Sequence, residues 1–136
     1  MKDGKILVVD EATNARELLI SMLRRQGYAV WDCSNARRVI ERVERLRPDV
    51  VLLESMLPGT SGFDLCAEIK ANPRLRNVRV LLMATLTRHL SDPADLRRRA
   101  EADDVIARPF GLVEILDHVE ALLPAPSPSP VALPAF

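Results

Sequence analysis

The run Asp49-Val50-Val51-Leu52-Leu53-Glu54 is a continuous apolar stretch that ends in a carboxylate. The run from Lys5 to Asp10 has the same form near the start of the chain, and Glu11 follows it directly. Unbroken runs of valine, isoleucine and leucine are typical of parallel strands that helices cover on both faces. Because parallel strands end at one edge of a sheet, we expect Asp10, Glu11 and Glu54 to gather there.

Strand-like and helix-like patterns alternate from these two runs to both ends of the chain. Further strands are predicted over 28–32, 78–84 and 104–108, and helical spacing of apolar residues lies between successive strands. The predicted helix boundaries are starts at Thr13 or Asn14, Ser34 or Asn35, Ser61 and Asp92-Pro93, and stops at Gly27 and Pro48. Five β/α units joined by short right-handed connections favour an α/β fold with a parallel, doubly wound sheet.

Composition narrows the classes of protein to consider. The 136 residues hold 19 basic and 19 acidic side chains, and a net charge of zero argues against a coat for nucleic acid or anionic membranes. The apolar runs are far shorter than the roughly 20 residues of a membrane span, so we expect a cytoplasmic protein. Cys33 and Cys66 lack metal or disulfide spacing and are predicted to be packing residues.

The last thirteen residues differ from the rest of the chain. Residues 124–136 contain five prolines, a composition that favours extended polyproline conformations and forms no core. We therefore expect one folded domain over residues 1–123, followed by a disordered tail or a truncated linker over residues 124–136.

The predicted sheet edge also carries uncharged and basic residues. Ala84 and Thr85 follow the fourth strand, and Arg108 follows the fifth. Three converging carboxylates repel one another, so the edge favours a divalent cation, a basic side chain or protonation of one acid. Arg108 is the basic side chain that the sequence places there.

Several of these segments together resemble a response-regulator receiver domain over about residues 4–123. The matching motifs are Val8-Val9-Asp10-Glu11, Pro48 to Glu54, Met56-Leu57-Pro58-Gly59-Thr60-Ser61-Gly62, Ala102-Asp103-Asp104 and Arg108-Pro109-Phe110. The resemblance implies a flavodoxin-like three-layer (βα)5 sandwich with strand order 2-1-3-4-5. It also implies a non-enzymatic role in two-component phosphorelay signalling, with a histidine kinase or a downstream effector as partner.

The resemblance further implies a phosphoryl-transfer site at the sheet edge. In the family, an acidic pair after the first strand helps to hold Mg²⁺, and an aspartate after the third strand accepts the phosphoryl group. These roles map onto Asp10 and Glu11 for the pair and onto Glu54 for the acceptor. The main-chain carbonyl of Met56 maps onto the third protein ligand of the metal ion. The implied cofactor is Mg²⁺, and we expect it to bind weakly or not at all.

Four positions depart from the family pattern. Glu54 replaces the acceptor aspartate, Ala84 replaces a hydroxyl residue, Val105 replaces the aromatic switch residue, and Arg108 replaces a lysine. Thr85 is one position too late, and its side chain is expected to face the other way. The extra methylene of glutamate moves the carboxylate by roughly 1 Å, and a misplacement of that size can cost about a hundredfold in rate.

We therefore hypothesise that Glu54 and Arg108 approach each other and hold one conformation without phosphate, since the planar guanidinium favours contact with carboxylates. The favoured function is an atypical receiver that binds partners independently of phosphorylation. One alternative is a Mg²⁺-dependent receiver that accepts phosphate slowly at the acidic pocket. Another is a flavodoxin-like cofactor binder, against which the lack of a glycine-rich phosphate loop counts.

Two surfaces could carry the binding function or simply be solvated. By resemblance, partners would bind a face with Arg97, Arg98, Arg99, Val105 and Glu114. Arginines near residues 37–47 lack interleaved aromatic residues in the sequence and are interpreted as a solvated helix face. Trp31 is either a packing residue or a contact aromatic, and packing is favoured. His118 is interpreted as an ordinary helix residue. We expect no nucleic-acid partner, and a weak homodimer is left open.

Overall fold

The computed structural model of the chain describes residues 4–85, 94, 97–98 and 101–124. Its main sheet has five parallel strands in the order β2-β1-β3-β6-β7. These strands are β1 (Lys5–Val9), β2 (Ala29–Cys33), β3 (Val50–Glu54), β6 (Arg79–Ala84) and β7 (Asp104–Ala107). A short antiparallel pair, β4 (Met56–Leu57) and β5 (Thr60–Ser61), lies outside the main sheet. When these two strands are left out of the count, the order of the main sheet is the predicted 2-1-3-4-5.

Within the described residues, helices follow β1, β2, β3 and β7. The described helices are α1 (Thr13–Arg25), α2 (Val39–Leu46), α3 (Gly62–Ala71) and α4 (Leu112–Leu122), with 3-10 turns at Ala36–Arg38 and Pro73–Leu75. The helix predicted to open at Asp92-Pro93 falls largely outside the described residues, and so does the predicted tail beyond residue 124. None of the helices in the described part of the chain is long and apolar enough to cross a membrane.

Alternate residues of the central strands serve two separate cores. In β1, Ile6 and Val8 face one core with α1 and α4, while Leu7 and Val9 face the other with α2 and α3. Every residue from Ile6 to Val9 is fully buried. Both faces of the sheet are thus covered, which explains why the strands read as unbroken apolar runs.

Some of the predicted helix caps are present in the structure, and one is not. Asn35 and Ser61 accept hydrogen bonds from backbone amides two residues on, as N-terminal caps do. The cap predicted at Thr13 or Asn14 is wrong, because Ala12 precedes α1 without any side-chain cap bond. Instead, the Ala12 amide donates to Oδ1 of Asp10, which ties the end of β1 to the start of α1.

Both cysteines are buried, free and part of the core beside α2 and α3, as predicted. Burial raises the pKa of the Cys66 thiol to about 12, and the neighbouring charge of Asp103 acts in the same direction. The thiol therefore stays protonated at neutral pH, which is consistent with a packing role. Trp31 also packs partly against this core.

Candidate functional site

The strand register brings the predicted site residues to one edge of the sheet. Val9 pairs with Leu53, so Asp10 and Glu54, which follow these two residues, leave neighbouring strands at the same level. On the other side, Ala84 pairs with Ala107, and Arg108 follows directly. Asp10, Glu54 and Arg108 therefore converge on the crevice where the strand order reverses, which is the usual ligand site of such sheets.

Arg108 bridges the two buried carboxylates. Its Nε donates a hydrogen bond of 2.8 Å to Oε2 of Glu54, and its Nη2 donates one of 2.8 Å to Oδ2 of Asp10. The Asp10 and Glu54 side chains are only 4% and 8% exposed, and that of Arg108 is 28% exposed. We call this arrangement the Arg108 bridge.

Backbone and hydroxyl donors satisfy the remaining carboxylate oxygens. Oε1 of Glu54 accepts from the Met56 amide at 3.2 Å and from the Ser55 hydroxyl at 3.4 Å. Oδ1 of Asp10 accepts from the Ala12 amide at 3.0 Å. All four oxygens thus have donors, which offsets the free energy required to bury two carboxylates.

The guanidinium of Arg108 is itself held in place by neighbours. It lies over the ring of Phe110, 5.1 Å from the ring centroid, and Nη2 is 3.8 Å from the Met83 sulfur. The Arg108 amide also donates to the Ala84 carbonyl, which extends the β6–β7 pairing by one bond. A guanidinium held against an aromatic face and two carboxylates has little freedom to move away.

A second arginine supports the loop that carries Asp10. Nη1 of Arg16 donates to the Asp10 carbonyl at 2.8 Å and to the Glu11 carbonyl at 3.4 Å. Nε of Arg16 is 3.2 Å from the Asp32 carboxylate, although it is not aligned for a hydrogen bond. Arg16 therefore fixes the backbone of this loop from the side of α1.

The predicted cluster of three carboxylates does not form. Glu11 is exposed, and only Asp10 and Glu54 come together, through Arg108. Within residues 4–85, 94, 97–98 and 101–124, no three His, Cys, Asp or Glu side chains are placed to hold a metal ion. Arg108 supplies the positive charge between Asp10 and Glu54, so the residues as arranged do not fit a divalent cation.

The altered switch positions also have defined surroundings. Ala84 is fully buried, whereas Thr85 is exposed and its amide donates to the Ser55 hydroxyl at 3.3 Å. Val105 is only 8% exposed and packs in the core. Placing Val105 on an interaction face was therefore wrong, because its side chain points inward from β7.

The other residues predicted for the interaction face are exposed where the structure describes them. Arg97, Arg98 and Glu114 lie on the surface, and Arg99 lies outside the described residues. Val113 near the start of α4 is 74% exposed, an apolar contribution that the charge pattern did not indicate. His118 lies within α4, as interpreted from the sequence, and its Nδ1 lies 2.6 Å from the Asp104 carboxylate.

Sequence reasoning missed the supporting residues of the site. Ser55 links Glu54 to Thr85, Phe110 lies against the guanidinium, and Arg16 holds the Asp10 loop. Gly62 allows α3 to start against β3, because a Cβ there would lie 2.1 Å from the Glu54 carbonyl oxygen. Of these residues, only Phe110 and Gly62 could have been found from the sequence, since both belong to the motifs that resemble receivers.

A further ionic cluster lies at the opposite end of the sheet. Nζ of Lys70 donates to the Asp103 carboxylate at 2.9 Å, and the Val80 amide donates to the same oxygen at 2.7 Å. Burial by itself would raise the pKa of the Asp103 carboxyl. The Lys70 and Val80 hydrogen bonds, the charge of Lys70 and a bond from Arg79 outweigh burial and hold this pKa below its ordinary value.

Comparisons with known proteins define the class. The family model for the response regulator receiver domain matches residues 6–120. The chain is 31% identical over 127 residues to sporulation initiation phosphotransferase F of Bacillus subtilis, covering 93% of this chain and 99% of that protein. It is 34% identical over 121 residues to the DNA-binding response regulator MtrA of Mycolicibacterium paratuberculosis, covering 88% of this chain and 51% of that protein.

A solved structure agrees with these sequence matches. The receiver domain of a signal transduction histidine kinase from Syntrophus aciditrophicus superposes with a TM-score of 0.78 at 31% identity, over 88% of this chain and 89% of that one. The chain therefore belongs to the response regulator receiver domain family, a class of signalling domains of two-component systems. It spans about half the length of the MtrA proteins that it matches.

Proposed function

We propose that this receiver domain is held in one conformation by the Arg108 bridge and binds its signalling partner without being phosphorylated. The observation that carries the proposal is the pair of 2.8 Å hydrogen bonds from Arg108 to Glu54 and Asp10. The guanidinium supplies, within the protein, the positive charge that two buried carboxylates require.

The state of Glu54 argues against efficient phosphoryl transfer. A carboxylate oxygen must be free to attack a phosphorus atom in line with its leaving group. Oε2 of Glu54 is engaged by Arg108, and Oε1 accepts from Met56 and Ser55. An incoming phosphoryl group would have to break one of these contacts in a crevice where Glu54 is largely buried.

The residues around Glu54 also lack the groups that would bind the product. The methyl side chain of Ala84 donates no hydrogen bond, and Thr85, the next residue, is exposed. Val105 fills its position as a core side chain. A phosphoryl group at Glu54 would therefore gain little stabilisation from residues that follow β6 and β7.

The partner we propose is a histidine kinase or a downstream effector of a two-component system in the cytoplasm, and the domain itself is not an enzyme. Membership of a signalling family supports this over a flavodoxin-like cofactor binder. Output would then depend on the amount of partner rather than on a phosphodonor. The folded domain of residues 1–123 would present the binding surface, with residues 124–136 as its tail or linker.

The test is the intact mass of the protein after incubation with Mg²⁺ and acetyl phosphate. We expect no adduct of one phosphoryl group, about 80 Da. A stoichiometric adduct that is stable in acid, labile in base and located at Glu54 would contradict the proposal. That outcome would support the alternative of a slow, Mg²⁺-dependent receiver.

A further inference from the structure

A cavity of about 370 Å³ lies beside edge strand β2 and helix α2, and it shares no residue with the Arg108 bridge. Its lining residues are Trp31, Arg38, Glu41, Arg42, Arg45 and Leu46. We call this cavity the Trp31 groove. Its volume lies within the range of small-molecule sites, roughly 300–1,000 Å³.

The arginines of the Trp31 groove are poorly neutralised. Arg38 and Arg42 have no ion-pair partner within the described part of the chain. Arg45 has only a 3.8 Å contact with Glu41, and both of these side chains are more than half exposed. Three arginines against the single carboxylate of Glu41 leave the groove lining with a net positive charge, in a chain whose net charge is zero. Such a net charge favours an anionic ligand.

Trp31 adds an aromatic surface to this charge. One part of its side chain packs against the core beside α2, and another part lines the groove. Interpreting Trp31 as a packing residue was therefore right but incomplete. The arginines near residues 37–47 do have an aromatic neighbour, which comes from β2 rather than from their own segment.

We propose that the Trp31 groove binds a nucleoside polyphosphate, with the base against Trp31 and the phosphates against the arginines. Bases stack on indole rings, and the guanidinium fork pairs with phosphate oxygens. Arg38 ends the 3-10 turn directly before α2, and Arg42 and Arg45 follow within α2. Their spacing of three or four residues spreads the charge over roughly 10 Å along this segment. An extended phosphate chain linked to a flat base matches both features, whereas an acidic peptide uses only the charge.

The chain contains a single tryptophan, so its fluorescence reports on this groove directly. We would titrate the full chain with ATP, adenosine, tripolyphosphate and a polyglutamate peptide, correcting for absorbance by the ligand. We expect ATP to quench Trp31 fluorescence at saturation and to bind at least tenfold more tightly than adenosine, tripolyphosphate or the peptide. An absence of saturable ATP binding, or tighter binding of the peptide, would overturn the proposal.

Variants separate the groove from nonspecific charge effects. The double change Arg38→Gln with Arg42→Gln is expected to weaken ATP binding by tenfold or more, since each lost contact is a charge-assisted hydrogen bond. The double change Arg74→Gln with Arg76→Gln removes two exposed arginines elsewhere and serves as the matched control, expected to leave the affinity unchanged. Equal losses in both variants would overturn the proposal. Trp31→Phe, measured by calorimetry, is expected to retain weaker binding.

Discussion

Nε of Arg108 donates a 2.8 Å hydrogen bond to Oε2 of Glu54 across 54 positions of sequence. Two departures from the receiver pattern thus meet in one contact. Glutamate is longer than aspartate by one methylene, and the guanidinium fork of arginine offers several N–H donors where lysine has one ammonium group. Nη2 remains free to reach Asp10, so one side chain neutralises both acids.

Removing the guanidinium should destabilise the fold. Arg108→Met leaves Asp10 and Glu54 buried, adjacent and without their cation. We expect a loss of about 2 kcal/mol in the free energy of unfolding, below the usual 3–5 kcal/mol for a buried pair because Arg108 is 28% exposed. Urea unfolding measures it, with Arg76→Met as the exposed control. Equal losses in the two variants would show that the bridge contributes nothing.

Restoring the family residues at three positions should restore acceptance of a phosphoryl group. The triple variant Glu54→Asp, Ala84→Thr, Arg108→Lys is expected to gain an acetyl-phosphate adduct of about 80 Da. Aspartate withdraws the carboxylate from the contacts that Glu54 makes, and threonine supplies a donor for the phosphoryl oxygens. Intact mass spectrometry detects the adduct, and circular dichroism checks the fold. The same variant with Glu54→Asn is the control, and an adduct on it would mean that another residue is modified.

Close packing at the start of α3 should not tolerate a side chain. A Cβ on Gly62 would lie 2.1 Å from the Glu54 carbonyl oxygen, whereas one on Gly111 would meet nothing within 4 Å. We expect Gly62→Ala to destabilise the domain by about 3 kcal/mol, the upper part of the usual range for overpacking. Gly111→Ala should change stability by less than about 1 kcal/mol. Thermal unfolding of both variants compares them, and similar midpoints would disprove the steric argument.

The Asp103 cluster should make stability depend on acid pH. The pKa of Asp103 is lower in the folded state than its ordinary value, so the ionised carboxylate stabilises the fold. This stabilisation is present above the unfolded pKa of about 3.9 and is lost as pH falls through the folded value. Unfolding free energies of the wild type and Asp103→Asn should therefore converge below about pH 4. A gap that stays constant from pH 7 to pH 3 would contradict this.

Much of the fold was predictable because its signals are local. The apolar runs of β1 and β3 serve two cores at once, so their lack of alternation identifies them as covered parallel strands. The contact of Glu54 with Arg108 was also predictable, since parallel strands end at one edge. The antiparallel pair β4 and β5 was not, because each strand has two residues and appears in the sequence only as a turn.

The contacts of the supporting residues could not be predicted, because they depend on how the helices and strands are placed in three dimensions. Arg16 lies in the first turn of α1 and reaches back six residues to the Asp10 carbonyl, a contact that depends on how α1 is placed relative to the end of β1. Glu11 was expected beside Asp10, but adjacent residues at a strand end point in different directions, and it is exposed. Trp31 meets the arginines of α2 only through the placement of that helix beside β2.

Mg²⁺ dependence of thermal unfolding, compared between the wild type and Arg108→Met, tests most directly whether Arg108 replaces a bound cation. A ligand at ten times its dissociation constant stabilises a protein by about 1.4 kcal/mol. We predict no rise in the wild-type Tm up to millimolar Mg²⁺, and a rise in the variant, whose two carboxylates lack their cation. An equal rise in both proteins would contradict the account, because Mg²⁺ would then bind with Arg108 in place.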